Sequence, residues 1–539
     1  MHPISRQHAQ RRSPRAHLVA LGAILITFTG LSACSPAPTT DIDDVGAGPT
    51  QDTDVPSTLR IGLEADLQGF DPLRTRLMGV STLTVADAVF DTLITLDESG
   101  AIQPQLALSL EPAPDLRTWT MILREGVRFH DGTALDAAAV AHHFTRLIDP
   151  ANRCACRPFL GPLQEVVVVS EYKLRFELSS PWAALPAVLG EPSVVSLIGS
   201  PASHEDGESF NRSPVGTGPY RFSQWRDGEA VVLERFDQYW AAQPDDAIAR
   251  PATIEYRILP DQQGRLAALR AGDVDLIWTL DGSSAARAEV LGLRVVRRRG
   301  AGARLLVLNT RQAPFDDVRV RRALAHASDS AAYVAAVSED GVLAAEDPFG
   351  PGSPFRCDAH WPAFDPEQAK RLLADYGEPV TVTFGHTATP RGQAAGQIFQ
   401  QFWQAVGIDV TLQPTEQVQL VTSVFRRRFQ VGPWRLRDSV DPDPDLYGLF
   451  HSASPFNVTG VASAELDELL AAARSTVDGA QRQEAYCALE RYLADQVPYL
   501  YLGENTYFAI ARADLAGALS LRGGLLSVRG IAAAPDATP

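Results

Sequence analysis

The chain carries few residues in arrangements that perform chemistry. It has no Gly-x-Ser-x-Gly elbow, no His-Glu-x-x-His pair, no Gly-Lys-Ser/Thr phosphate loop and no two Cys-x-x-Cys pairs. The common nucleophilic, zinc and nucleotide-binding signatures are therefore excluded. Gly-x-Gly occurs at Gly216 and Gly218 and at Gly300 and Gly302, in each case without the third glycine of a dinucleotide fingerprint. His130-Asp131 invites a catalytic or metal-binding reading, but Asp131-Gly132 is a strong turn dipeptide. His142 and His143 are adjacent on an expected helix with no partner at i+4, so they do not form a zinc pair. No cofactor and no metal is expected.

Positive charge is also scarce. Lys and Arg number 48 against 65 Asp and Glu, for a formal charge of −17. An acidic body argues against a nucleic-acid partner, which needs a basic face. The runs Arg297-Arg298-Arg299 and Arg426-Arg427-Arg428 are read as solvated faces or internal partners for carboxylates. There are only five cysteines. Cys154 and Cys156 lack the second ligand pair of a zinc site. With Cys357 and Cys487 they allow three complete disulfide pairings, including links from the Cys-x-Cys to either distant cysteine.

Long apolar runs are missing everywhere except near the N-terminus. Arg6, Arg11, Arg12 and Arg15 precede an apolar stretch over 18–28, and Leu31-Ser32-Ala33-Cys34 follows. A basic region, a short apolar core and small residues describe an export leader, too short for a comfortable membrane span. Leu31 to Cys34 resembles a bacterial lipobox, which implies cleavage before Cys34 and lipidation of that residue; the alternative is an ordinary leader with an incidental cysteine. The following stretch is rich in Pro, Thr, Gly, Ser and Asp, and is expected to be a flexible tether over 34–56.

The remaining body is 45% hydrophobic and 21% charged over the whole chain, a globular composition, and it is long enough for at least two domains. Its early part reads strand (Leu59 to Leu63), helix (Thr82 to Phe90), strand (Asp91 to Leu96). A helix begins near Asp136, and a hairpin over 166–178 closes a smaller α+β region. Later, Val380 to Phe384, Gln393 to Val406 and Gly407 to Leu412 alternate strand, helix, strand, which implies a parallel sheet. Asp365-Pro366 opens a helix with an N-cap and a first-turn proline.

The most specified turn is Pro214-Val215-Gly216-Thr217-Gly218-Pro219-Tyr220, continuing through Trp225 to Tyr239-Trp240. Its two glycines can take positive φ and its two prolines fix φ near −65°. This segment resembles the signature of the bacterial extracellular solute-binding proteins of family 5, the receptors that serve ABC importers of peptides, nickel chelates and related solutes. Three further motifs carry the same likeness in the family's order: Asp97 to Ala107, Leu123 to Thr133, and Pro314 to Leu324 with Asp329.

The resemblance implies an α/β fold of the type II periplasmic-binding-protein kind, with two lobes joined by a hinge and an extra α+β subdomain in the first. The implied layout is leader 1–33, lipidated tether 34–56, first lobe 57–96, subdomain 97–212, first lobe 213–303, second lobe 304–495, and return with C-terminal tail 496–539. The Pro214 to Tyr220 turn is then architecture rather than a binding loop.

The ligand-binding residues implied are Gly432, Trp434 and Asp438, in Gly432-Pro433-Trp434-Arg435-Leu436-Arg437-Asp438-Ser439-Val440-Asp441-Pro442-Asp443, together with His386 and Arg391. Asp438 matches the family's anchor for a peptide α-ammonium, although Trp434 precedes it by four residues where the pattern has three. The alternative is an Asp-rich surface turn stiffened by prolines. Arg391, in the loop after the 380–384 strand, would hold a peptide carboxylate, and His386 would touch a metal chelate or haem. Asp441 reads as a turn residue. The implied function is capture of peptides between closing lobes and delivery to the transmembrane subunits of an ABC permease by a lipid-anchored monomer at the outer face of the cell membrane. The alternatives are a non-peptide solute (nickel chelate, haem or oligosaccharide) on the same fold, or a lipid-anchored hydrolase.

Overall fold

Two long antiparallel strands, Arg294–Leu308 and Tyr499–Ala511, run side by side through the middle of the molecule. The computed structural model describes residues 58–75, 79–97, 100–205, 207–242, 250–337, 349, 353–515, 517 and 519–531. The leader, Cys34 and the tether lie outside them.

The two long strands are the centre of a ten-stranded sheet. On one side follow Leu276–Thr279, Thr58–Leu63, Thr253–Ile258, Ala230–Arg235 and Tyr220–Arg226; on the other follow Val431–Arg435, Thr381–Thr387 and Asp409–Thr415. Each side has its own core. Leu59, Ile61, Val85, Tyr256 and Trp278 belong to the first lobe. In the second lobe Leu306, Phe384, Phe399 and Trp403 cover one face of the sheet, and Leu305, Val307, Leu446 and Tyr499 pack on the other. Thr381–Thr387 lies parallel to both its neighbours, with Val382, Phe384 and His386 buried on one face.

Between the lobes, the pairing of the long strands shifts register between Arg299 and Ala303. A bulge there bends the ladder where the chain passes from one core to the other. The return lies deeper than residue 496. Leu500 and Leu502 still pack in the second-lobe core, whereas Tyr507 and Ala509 pack in the first. The polar run Glu504-Asn505-Thr506 is buried strand.

The subdomain is a four-stranded antiparallel sheet, Ala107–Pro112, Thr118–Leu123, Lys173–Leu178 and Leu163–Ser170, covered by the helix Ala137–Ile148. Asp136 caps that helix by accepting from the Ala139 N–H at 2.8 Å, and Phe144 meets Phe176 edge-on at 5.3 Å. His143 is buried, with Nε2 3.0 Å from the Val195 carbonyl, and His142 stacks on His204. Cys154 and Cys156 are joined to each other, which rules out the long-range pairings; Cys357 and Cys487 are free.

The Pro214 to Tyr220 turn converges with distant segments on one buried carboxylate. Asp91 accepts from the Thr217 hydroxyl (3.1 Å), Tyr239 hydroxyl (3.1 Å), Trp240 indole N–H (2.9 Å), Gln105 amide (2.9 Å) and Arg529 (2.7 Å). The turn's glycines are needed for close approach rather than for positive φ. A Cβ on Gly218 would stand 2.6 Å from the Ala88 carbonyl oxygen, at the end of the helix Val80–Val89. His130 is structural too, its Nε2 lying 3.0 Å from the Gly218 carbonyl.

Candidate functional site

Between the lobes, beside the register shift, Gly300 is surrounded by side chains from three segments. A Cβ placed on it would lie 2.8 Å from the Tyr507 ring, 3.1 Å from Asp438 Oδ1 and 3.3 Å from Asn505 Cβ. Any larger residue would displace that cluster. Burial and the Asp438 charge together push the Tyr507 phenol up to about 12, so it stays a neutral donor. Asn505 Oδ1 accepts from Arg304 Nε at 3.0 Å. Arg304 lies directly opposite Arg435 in the antiparallel ladder.

Arg391 contributes to the same neighbourhood. Burial depresses the Arg304 guanidinium to about 10, with the Arg391 charge the next cause and Arg435 also contributing. Glu64, at the end of the first-lobe strand Thr58–Leu63, faces this region from the other side. Its carboxyl is raised by burial and held back by Arg265 and Arg435.

The loop after Asp438 fastens the lobes together. Glu191, from the subdomain, accepts from the Ser439 hydroxyl at 3.0 Å and the Val440 N–H at 2.8 Å. Burial pushes its carboxyl up to about 7 against those two hydrogen bonds and the Arg437 charge. The Trp182 indole donates to Asp443 at 2.8 Å, and Asp443 pairs in bidentate fashion with Arg474. Asp441 pairs likewise with Arg482 and turns the chain by accepting from the Asp443 N–H. Both aspartates are consumed by structure, as read from sequence for Asp441.

Residues 101–457 match the family described as bacterial extracellular solute-binding proteins, family 5 Middle. The chain belongs to this family. Among its relatives, the glutathione-binding protein GsiB of Pectobacterium atrosepticum is 27% identical over 449 residues, covering 80% of this chain and 86% of that protein. Di/tripeptide-binding protein 2 of Pseudomonas aeruginosa is 28% identical over 501 residues, covering 86% and 92%. The crystal structure of a dipeptide-binding protein from Pseudoalteromonas sp. SM9913 in complex with Met-Leu superposes with a TM-score of 0.77 at 23% identity, over 88% of this chain and 99% of that one. The fold is that of type II periplasmic binding proteins. Family 5 members are substrate-binding proteins of ABC transporters, so the hydrolase reading falls.

Within this family 5 protein the five expected ligand residues divide. Asp438 and Arg391 come to the region around Gly300 and Arg304. Arg391 is exposed and stands in the first turn of the helix Pro390–Gln404, capped by Thr389, rather than in a loop. His386 is withdrawn: it is buried in the strand Thr381–Thr387, its ring filling the space that a side chain on Gly396 would need. A strand alternates faces, so Gly432 and Trp434 point away from the face that carries Arg435. Gly432 lies under Val424 and Phe429, and Trp434 meets Phe425 edge-on at 5.4 Å. Sequence reasoning did not single out Arg304, Arg435, Asn505, Tyr507 or Glu191, which only the fold brings to this region. Two cavities of about 460 and 700 Å³ lie elsewhere in the second lobe and include none of these residues.

Proposed function

We propose that this chain is the lipid-anchored, extracytoplasmic substrate-binding component of an ABC importer and that it captures dipeptides or oligopeptides between its lobes. The reading is supported by the names of its relatives, which bind glutathione and di- and tripeptides, and by the likeness of Leu31 to Cys34 to a lipobox. The observation that carries the peptide assignment is Asp438. It lies beside Gly300 on the crossing strand, between the two lobes, where a carboxylate can meet an α-ammonium as they close.

In this reading Asp438 anchors the peptide amine and Arg391 its carboxylate. The peptide backbone extends between them, with its remaining polar groups met by main chain or water. No bond is made or broken; closure is stable to the extent that the ligand contacts the closed form better than the open one. The closed monomer then docks on the transmembrane permease subunits and releases the solute. Calorimetric titration with di- and tripeptides tests the assignment. Asp438→Ala should lose about 2–5 kcal/mol of binding free energy if a buried charge pair is removed, and unchanged affinity would remove Asp438 from the site. Failure of Cys34→Ser to take up labelled fatty acid, where the wild type does, tests the anchor.

A further inference from the structure

We infer that Cys357 and Cys487 are joined by a disulfide in the exported protein, fastening the loop over 353–365 to the helix Gly479–Gln496. It needs only that the chain is exported, as befits an extracellular family, and is independent of the solute.

The loop is laid along the helix by contacts that do not involve the thiols. Phe355 packs on the Tyr486 ring with centroids 4.8 Å apart, and the Arg482 guanidinium stands 5.2 Å from the Phe355 ring. The Gln483 side-chain amide donates to the Arg356 carbonyl at 3.1 Å. Gln483 and Cys487 are i and i+4 on one helix face. The residue after Arg356 therefore meets the turn that carries Cys487, and the two thiols are hydrogen-bonded to each other. Cys487 is buried and Cys357 half-buried. Cys154 and Cys156 are already joined, so each of these two has the other as its partner.

The loop gives a covalent tie something to hold. Residues 353–365 form no helix or strand. Beyond the contacts above, Trp361 packs on Tyr499 and Tyr501 at 4.8 and 4.7 Å, and the Asp365 N–H donates to the His326 carbonyl at 2.8 Å. Cys357, Trp361 and Tyr501 line the cavity of about 700 Å³, so the bond would fix part of its wall. The cysteines are 130 residues apart in sequence, and linking so long a loop restricts the unfolded chain strongly.

The oxidant is a disulfide of the exported compartment, small or carried by a protein. One cysteine thiolate attacks it, forming a mixed disulfide and releasing one thiol. The second cysteine thiolate then attacks the first cysteine's sulfur and releases the other thiol. Two electrons pass from the cysteine pair to the oxidant, whose sulfurs take up the two protons. The first attack belongs to the unfolded chain, where both thiols have ordinary acidity, because burial in the folded, reduced chain leaves Cys357 a poor nucleophile.

The test uses the full chain exported by a host cell, blocked with N-ethylmaleimide and unfolded in guanidinium without reductant. No thiol should react, and a protease digest should hold the Cys357 and Cys487 peptides as one species that reductant separates. Alkylation of both cysteines overturns the proposal, as does linkage of either to Cys154 or Cys156. Reduced, unfolded protein refolded in a glutathione redox buffer should form the same link; its absence there overturns the proposal too. Cys357→Ser and Cys487→Ser should each lower the melting temperature by about 3 °C or more, and the double variant by about as much as either alone. Losses that add would mark two thiols that pack without bonding, and would overturn it.

Discussion

The short segment from Arg435 to Asp445 contains two kinds of charge, and they behave differently. Asp441 and Asp443 are buried, and each is closed by a bidentate arginine, Arg482 and Arg474. A few residues earlier Arg435 stands opposite Arg304 in the ladder and is exposed. A closed pair repays its desolvation with its own geometry and fixes the loop's shape. An exposed guanidinium keeps most of its hydration and has far less desolvation to repay. The buried ionic pairs of this loop are architecture.

The largest effect that could break this contrast is on the closed pair. Asp443→Ala leaves the Arg474 guanidinium buried without its partner and takes the acceptor from Trp182. The expected loss is about 3–5 kcal/mol of unfolding free energy, measured by denaturant titration. Asp438→Ala should change that same quantity by no more than about 1 kcal/mol if its carboxylate serves the solute rather than the fold; a loss as large as that of Asp443→Ala would make Asp438 structural.

Glu191 sharpens the contrast through pH. Its folded carboxyl is raised to about 7 from an ordinary 4.5, mainly by burial. The folded state therefore keeps a proton that the unfolded chain gives up. The stabilisation is full below pH 4.5 and is lost as pH rises through 7. Discounted for the partial exposure of the side chain, the difference is on the order of 1–2 kcal/mol. Buried His143, lowered to about 4, acts in the opposite direction, its stabilisation being lost as pH falls below 6.5. The wild-type curve minus that of Glu191→Gln isolates the carboxyl. A difference that does not vary between pH 4.5 and 8 would remove Glu191 as a proton-sensitive fastening between the lobes.

The smallest effect concerns Cys357. Burial, and then the neighbouring Cys487 thiol, pushes it up to about 12. Only the thiolate reacts, so in the reduced protein alkylation by iodoacetamide at pH 7.5 should be at least tenfold slower than for a free cysteine, with unfolding free energy unchanged.

Much of the fold was legible because local signals agreed with it. Asp136 and Asp365 stand at the starts of helices expected from the sequence, and each caps its helix. What stayed hidden depends on long-range register. The last long strand runs to Ala511, because Glu504, Asn505 and Thr506 are buried by the crossing rather than by local alternation. Asp438 could be named from its motif. No spacing along the chain could pair Arg304 with Arg435, residues 131 apart in sequence, because only the ladder's register brings them together. His386 failed for the opposite reason. Its residue type suggested a ligand, but whether a strand residue faces cleft or core is set by neighbours such as Gly396.

The Asp91 cluster bears on the order in which the molecule can be completed. Arg529 reaches back 438 residues to Asp91, and Ser527 reaches 440 residues to Asp87. Tyr507, Leu526 and Ile531 supply part of the core begun by Leu59 and Ile61. The second lobe draws its core mainly from one stretch of chain between the two crossings and can condense on shorter loops. The lobe that opens the polypeptide is thus finished last. A chain delivered N-terminus first reaches its destination with that lobe still unsealed, and the final residues to arrive close it.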